Sequence, residues 1–209
     1  MENNIMNTEE ELQIRVVEKS YGRQQLIIKH GTVKDINQRD LSGDSPYNRS
    51  GKPYFNINIP ENKALALYSD GWRIRKRGRD MTQLNKKGEP GKWVTTSDLD
   101  YPLEDWNYIL ELRIDYKSSR PTKIFRIIPM KEKRELFYNS PNKKTDINIL
   151  KGDSVTGWNA IINAYKNPDD GIISGYLNEL YMEVAPNEFE EMYSDLPLYT
   201  GEEGLDDDV

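Results

Sequence analysis

Cysteine is absent from the chain, so neither a disulfide nor a thiolate metal site is open to it. Histidine occurs once, as His30, in 209 residues. That excludes a histidine-cluster metal site and makes any Ser-His-Asp arrangement depend on one imidazole beside Gly31, where a structural role is the simpler reading. No stretch approaches the roughly 18 apolar residues that a membrane span needs. The opening segment MENNIMNTEEELQ has no basic n-region and no apolar run, so it does not read as a signal peptide. These absences lead to the expectation of a soluble, cytoplasmic protein with no membrane partner. Phosphate-cradling loops are missing too: Gly51-Lys52 is followed by Pro53 and Gly91-Lys92 by Trp93, not by Ser or Thr.

One further absence is local. Residues 185–209 hold nine acids and no Lys or Arg. The formal charge of −6 becomes +3 when that segment is set aside, and residues 39–134 alone carry 20 basic against 13 acidic side chains. A basic body joined to an acidic end points to a nucleic-acid binder whose tail has a separate task. The tail holds too few apolar residues to fold alone. It is expected to compete weakly for the basic surface or to dock on replication or recombination proteins; a plain solubilising end is the bland alternative.

The pattern along the chain is mainly β. Leu26 to Ile36 reads as a strand interrupted at Gly31, and residues 37–52 as a Ser/Gly/Asn/Asp loop. Tyr54–Ile59 alternates, with Phe55, Ile57 and Ile59 on one face and Tyr54, Asn56 and Asn58 on the other. Pro60 opens a short helix that Gly71 closes, with Ala64, Leu65, Leu67 and Tyr68 on its apolar side. Trp72 begins a strand that runs through Arg73–Arg77, and residues 78–104 read as a long polar loop. Trp106–Tyr116 alternates without a break, as a half-buried antiparallel strand does, and Trp106 and Tyr108 share its core face. Strands are also expected at Lys123–Ile128, Val155–Tyr165 and Gly175–Val184, with residues 131–151 read as a charged helical turn and a loop. The resulting fold class is an OB-like antiparallel Greek-key barrel, with a jelly-roll-like sandwich as its rival. Its expected organisation is a flexible arm or short first element over 1–20, a barrel domain over 21–190 and an acidic tail over 191–209.

Five cations fall within seven residues, Arg73, Arg75, Lys76, Arg77 and Arg79, and Lys86, Lys87 and Lys92 extend them into the following loop. If the strand leads into a hairpin, the loop is a basic finger able to lie along a phosphate backbone. Protection of a sheet edge is the ordinary alternative, but it needs fewer charges. Aromatic rings interleave with these cations. Unpaired bases stack on such rings for roughly 1–3 kcal/mol each. Tyr54, on the polar face of its strand, and the loop residues Tyr47 and Trp93 are the stacking candidates; Trp72 reads as core. Arg120, Lys123 and Arg126 are candidates to lengthen the groove. Metal-dependent catalysis would have to use acids such as Glu104-Asp105 or Asp169-Asp170, which abut turns where solvated acids are ordinary. No catalytic, cofactor or metal residue is therefore assigned.

The run Ser42-Gly43, Tyr47-Asn48, Gly51-Lys52-Pro53-Tyr54-Phe55 and Asp70-Gly71-Trp72, continued by Pro121, Trp158 and Gly175-Tyr176-Leu177, resembles the single-stranded DNA-binding proteins of tailed bacteriophages. The resemblance spans roughly residues 25–195. It implies an OB-type barrel that coats single strands with little sequence preference during phage replication or recombination. Two other readings stay open: a β-sandwich interaction or virion component that forms homo-oligomers, and a metal-dependent DNA-processing enzyme.

Overall fold

A computed structural model describes residues 11–20, 23–128, 133–138 and 155–184. The N-terminal ten residues, 21–22, 129–132, 139–154 and the acidic segment 185–209 lie outside the described residues. The fold grows from two strands with clean alternation. In β4 (Tyr54–Ile59), Phe55, Ile57 and Ile59 are buried while Tyr54, Asn56 and Asn58 face outward. In β7 (Glu104–Arg113), Tyr108, Leu110 and Leu112 are buried on the same side, and the two strands pair antiparallel from Tyr54↔Arg113 to Ile59↔Tyr108. Apolar side chains at every second residue thus commit both strands to one core.

Around them the sheet follows the order β1 (Gln13–Lys19), β2 (Arg23–Gly31), β10 (Val155–Lys166), β11 (Ile173–Val184), β7, β4 and β3 (Ile36–Asp40). Two ribbons branch from this path. One is β5 (Ile74–Leu84) with β6 (Pro90–Thr96), attached to β7; the other is β8 (Lys123–Ile128) with β9 (Lys133–Tyr138), attached to β11. All pairings are antiparallel except those of β11 with β7 and β8. The architecture is mainly β and OB-like. A bridge from Trp72 to Ile173 brings the start of β5 to the start of β11, through Arg73 N–H to Ile173 O and Ile173 N–H to Gly71 O, each 2.8 Å.

Between β4 and β5 lies α1 (Glu61–Ser69), with Pro60 at its N-cap. It ends as the sequence leads one to expect. Gly71 has φ +88°, its N–H reaches Tyr68 O, and Trp72 N–H reaches Leu67 O, so the last turn closes its orphan carbonyls. Only Ala64 and Leu67 of the expected apolar side are buried; Leu65 and Tyr68 are exposed, because the helix touches the barrel along a narrow seam.

The core centres on Trp158 and Phe55, whose rings meet edge to face at 5.2 Å and 83°. Trp158 Nε1 donates to Thr32 O at 2.8 Å, which satisfies the one polar atom of the buried indole. Gly31 is required there: a Cβ on it would sit 2.1 Å from the indole ring. His30 precedes it with φ +58°, and its backbone N–H is taken by Asn159 Oδ1 at 3.0 Å.

Several boundaries differ from the sequence reading, and each for a physical reason. Residues 78–104 are not one loop: β5 continues to Leu84 and β6 returns antiparallel to it. The hairpin projects past the core, so both its faces are polar and the period-two apolar signal is missing. Ile36–Asp40 is likewise a strand, taken from the expected 37–52 loop, and Gln13–Lys19 is a strand, the first element in place of a mobile arm. Lys133–Tyr138 is a strand where a helical turn was expected, and it pairs with β8. The strand read as Trp106–Tyr116 starts at Glu104 and ends at Arg113. Trp106 is 36 % exposed and lies off the core: it packs against the Tyr108 ring at 4.8 Å while Tyr108 itself goes inward.

Candidate nucleic-acid interface

Strand register builds the site. One row of partners crosses seven strands: Val17, Gln25, Asn163, Tyr176, Arg113, Tyr54 and Asp40 follow one another from β1 through β2, β10, β11, β7 and β4 to β3. Directly paired residues share a face, so Tyr176, Arg113 and Tyr54 stand side by side on the outer surface of the sheet. Arg113 Nη1 donates to the Tyr176 hydroxyl at 3.1 Å and its guanidinium lies 5.7 Å from that ring. Tyr165 meets the other side of Tyr176 edge-on at 6.0 Å.

The same face continues along β7 onto the β5–β6 hairpin. Arg75 pairs with Ile109, Arg77 with Asn107 and Thr95, and Arg79 with Trp93. Alternation therefore puts Arg75, Arg77 and Arg79 on the side of Tyr54, and the parity of Arg73 matches theirs. From Arg113 to Asn107 is six residues of strand, roughly 20 Å. Arg77 lies over the half-exposed Trp93 ring at 5.7 Å. Two arginines carry counter-charges: Arg75 Nε is 3.2 Å from Glu111 Oε2, and Arg79 Nη1 is 3.2 Å from Asp105 Oδ2. Exposed Lys86, Lys87 and Lys92 surround the hairpin tip, where they line a hollow with Leu84 and Trp93. The basic finger expected from the sequence is this ribbon.

Not every sequence candidate joins the face. Lys76 turns inward: it is 7 % exposed, donates to Leu99 O and Tyr101 O at 3.0 and 2.9 Å, and sits 4.8 Å from the Trp106 ring. Alternation explains it, since Lys76 has the parity of Ile74. Arg126 is buried on the side of β8 that holds Ile124. Lys123 is exposed but lies on the other ribbon, opposite Glu179. Arg120 does reach the site, in a hollow shared with Lys19, Arg23, Tyr165 and Tyr176. Tyr47 is 94 % exposed on the β3–β4 loop. That loop is organised by Asp40, which accepts from Gly43 N, Ser45 N and Asn48 Nδ2 at 2.9, 3.1 and 2.8 Å. Burial, then Asp40, push the Tyr54 phenol above its ordinary value, and Arg77 opposes the shift.

Sequence reasoning missed Arg113, Tyr176 and Tyr165. Arg113 is a polar partner in an alternating strand, and Tyr176 alternates with Gly175 and Leu177; the pattern marks both as outward-facing. What it lacks is the parallel β7–β11 contact that brings them together. Of the acids considered for catalysis, Asp105 is held by Arg79 on the face itself. Asp170 accepts from Ile172 N–H within its turn, and among the described residues no three His, Asp or Glu side chains are grouped to hold a metal ion.

The base of the hairpin is fixed by Asp80. Its carboxylate accepts from Thr82 Oγ1 at 2.6 Å, Tyr101 OH at 2.7 Å, Thr82 N at 2.9 Å and Gln83 Nε2 at 2.7 Å. These bonds, led by those from Thr82 and Tyr101, lower its pKa from 3.8 to about 2. The unfolded chain therefore binds the proton more tightly than the folded one. The stabilisation is complete above the ordinary carboxylate value and is lost as pH falls toward 2. In urea titrations, the gap between the parent and Asp80→Asn should narrow between neutral pH and about pH 2.5; a constant gap would refute this role for the charge.

No family model matches this chain, and no curated protein matches it in sequence. Among solved structures it is similar to the single-stranded DNA-binding protein from bacteriophage Enc34 in complex with ssDNA, at 11% identity over 84% of this chain and 97% of that one, with a TM-score of 0.34. The Enc34 protein without DNA is similar at 12% identity over 88% and 98%, TM-score 0.32. Its C-terminal truncation is similar at 14% over 84% and 95%, TM-score 0.32.

Proposed function

We propose that this chain is a non-enzymatic, largely sequence-independent single-stranded DNA-binding protein, acting in the host cytoplasm during phage replication or recombination. The observation that carries this reading is the single outer face that collects Arg75, Arg77, Arg79 and Arg113 with the rings of Tyr54, Trp93, Tyr176 and Tyr165. Cations track a phosphate backbone while rings accept bases of any identity, the combination that unpaired strands require. The phage setting rests on the resemblance of the Ser42–Phe55 and Asp70–Trp72 segments described above.

Titration of a fluorescent oligo-dT at several salt concentrations tests the proposal. If about four phosphates are neutralised, log K falls with log salt at a slope near −3. Duplex DNA and poly-U in parallel report strand and sugar preference. A flat salt response, or no binding to oligo-dT in dilute buffer, would count against the reading.

A further inference from the structure

One acid sits in the middle of the face. Glu111 faces outward from β7 two residues before Arg113, paired with Asn56 of β4, and both line the groove flanked by Tyr54, Arg113 and Tyr176. A carboxylate on a phosphate path weakens binding by like-charge repulsion. Its position there makes sense if it meets the base and not the backbone. Arg75 Nε lies 3.2 Å from Oε2, an ion pair that keeps the carboxylate charged beside the groove it lines.

An ionised carboxylate only accepts hydrogen bonds. Cytosine presents an amino donor at N4, whereas thymine presents the O4 acceptor at the same place. We infer that Glu111, with Asn56 beside it, forms a subsite that favours amino-bearing bases, cytosine above thymine, within an otherwise tolerant groove. The rings of Tyr54 and Tyr176 supply stacking that does not distinguish the two pyrimidines. The Asn56 amide can donate to one edge atom of the base while Glu111 accepts from another. This inference rests on the proposed single-strand binding and specifies what the centre of that face selects.

The test compares fluorescent oligo-dC and oligo-dT of equal length with the full chain at one salt concentration. Mildly alkaline pH keeps cytosine unprotonated. Oligo-dC is expected to bind about fivefold more tightly, the size of one well-placed base contact. Glu111→Gln should tighten oligo-dT and erase the preference, because an amide can donate to O4 as well as accept from N4. The variant's urea midpoint confirms that it is folded. Equal affinities for the parent, or a preference that survives in Glu111→Gln, overturn the subsite and leave the proposed function standing. Failure to bind either oligonucleotide overturns both.

Discussion

Alanine at both Arg77 and Arg113 is expected to weaken oligo-dT binding by about 100-fold. These two arginines differ from their neighbours. Arg75 and Arg79 lie against Glu111 and Asp105, while Arg77 and Arg113 lie over the rings of Trp93 and Tyr176. Arg113 also donates from Nη1 to the Tyr176 hydroxyl, but a guanidinium on a ring retains further N–H groups for a phosphate and stays in register with the base stacked beside it. Hydrogen bonds to charged groups contribute about 1.5–3 kcal/mol each, and partial exposure puts both contacts at the lower end. The salt slope should become shallower by about 1.4, since each lost phosphate contact on a single strand removes about 0.7. Lys76→Met is the control. It removes a cation from the same run of sequence, but one already bonded to Leu99 O and Tyr101 O, so the slope should stay unchanged. Parent-like affinity in the double variant, or a changed slope in Lys76→Met, would show that the phosphate path lies elsewhere.

Trp158→Ala carries the largest expected effect on the fold, about 3–5 kcal/mol of lost stability by urea unfolding. The indole is 1 % exposed, packs edge-on against Phe55, and holds Thr32 O through Nε1. Its removal leaves a cavity between β2, β4 and β10 and takes from Thr32 O one of its two donors, the other being Asp35 N–H at 3.1 Å. Relaxation is limited, because the strand opposite already approaches closely at Gly31. Trp158→Phe retains a ring and should lose less, mainly the Thr32 bond. A loss under about 1 kcal/mol for the alanine variant would mean that the core does not depend on this contact.

The clearest elements were legible because one side of each strand is buried. Phe55, Ile57 and Ile59 alternate with polar residues, as do Tyr108, Leu110 and Leu112, and no other register hides both sets. The α1 ends were legible through Pro60 and Gly71. The β5–β6 hairpin was not, for the reason that makes it useful: it stands away from the core, so no apolar period marks it, and backbone pairing with a turn at Asn85–Glu89 shapes it. Trp106 misled because alternation assigns a side but not a depth, and at the end of β7 the inner side is already near solvent.

For the candidate site, the sequence alone determined the kinds of groups present, a run of cations interleaved with rings and a separate acidic segment. Only the tertiary structure decided that Arg113 and Tyr176 complete that surface, that Lys76 and Arg126 leave it, and that Glu111 occupies its centre. The reason is that side-chain parity is local to a strand, whereas the neighbours of a strand are set by closure of the barrel, here by a parallel contact between segments more than sixty residues apart.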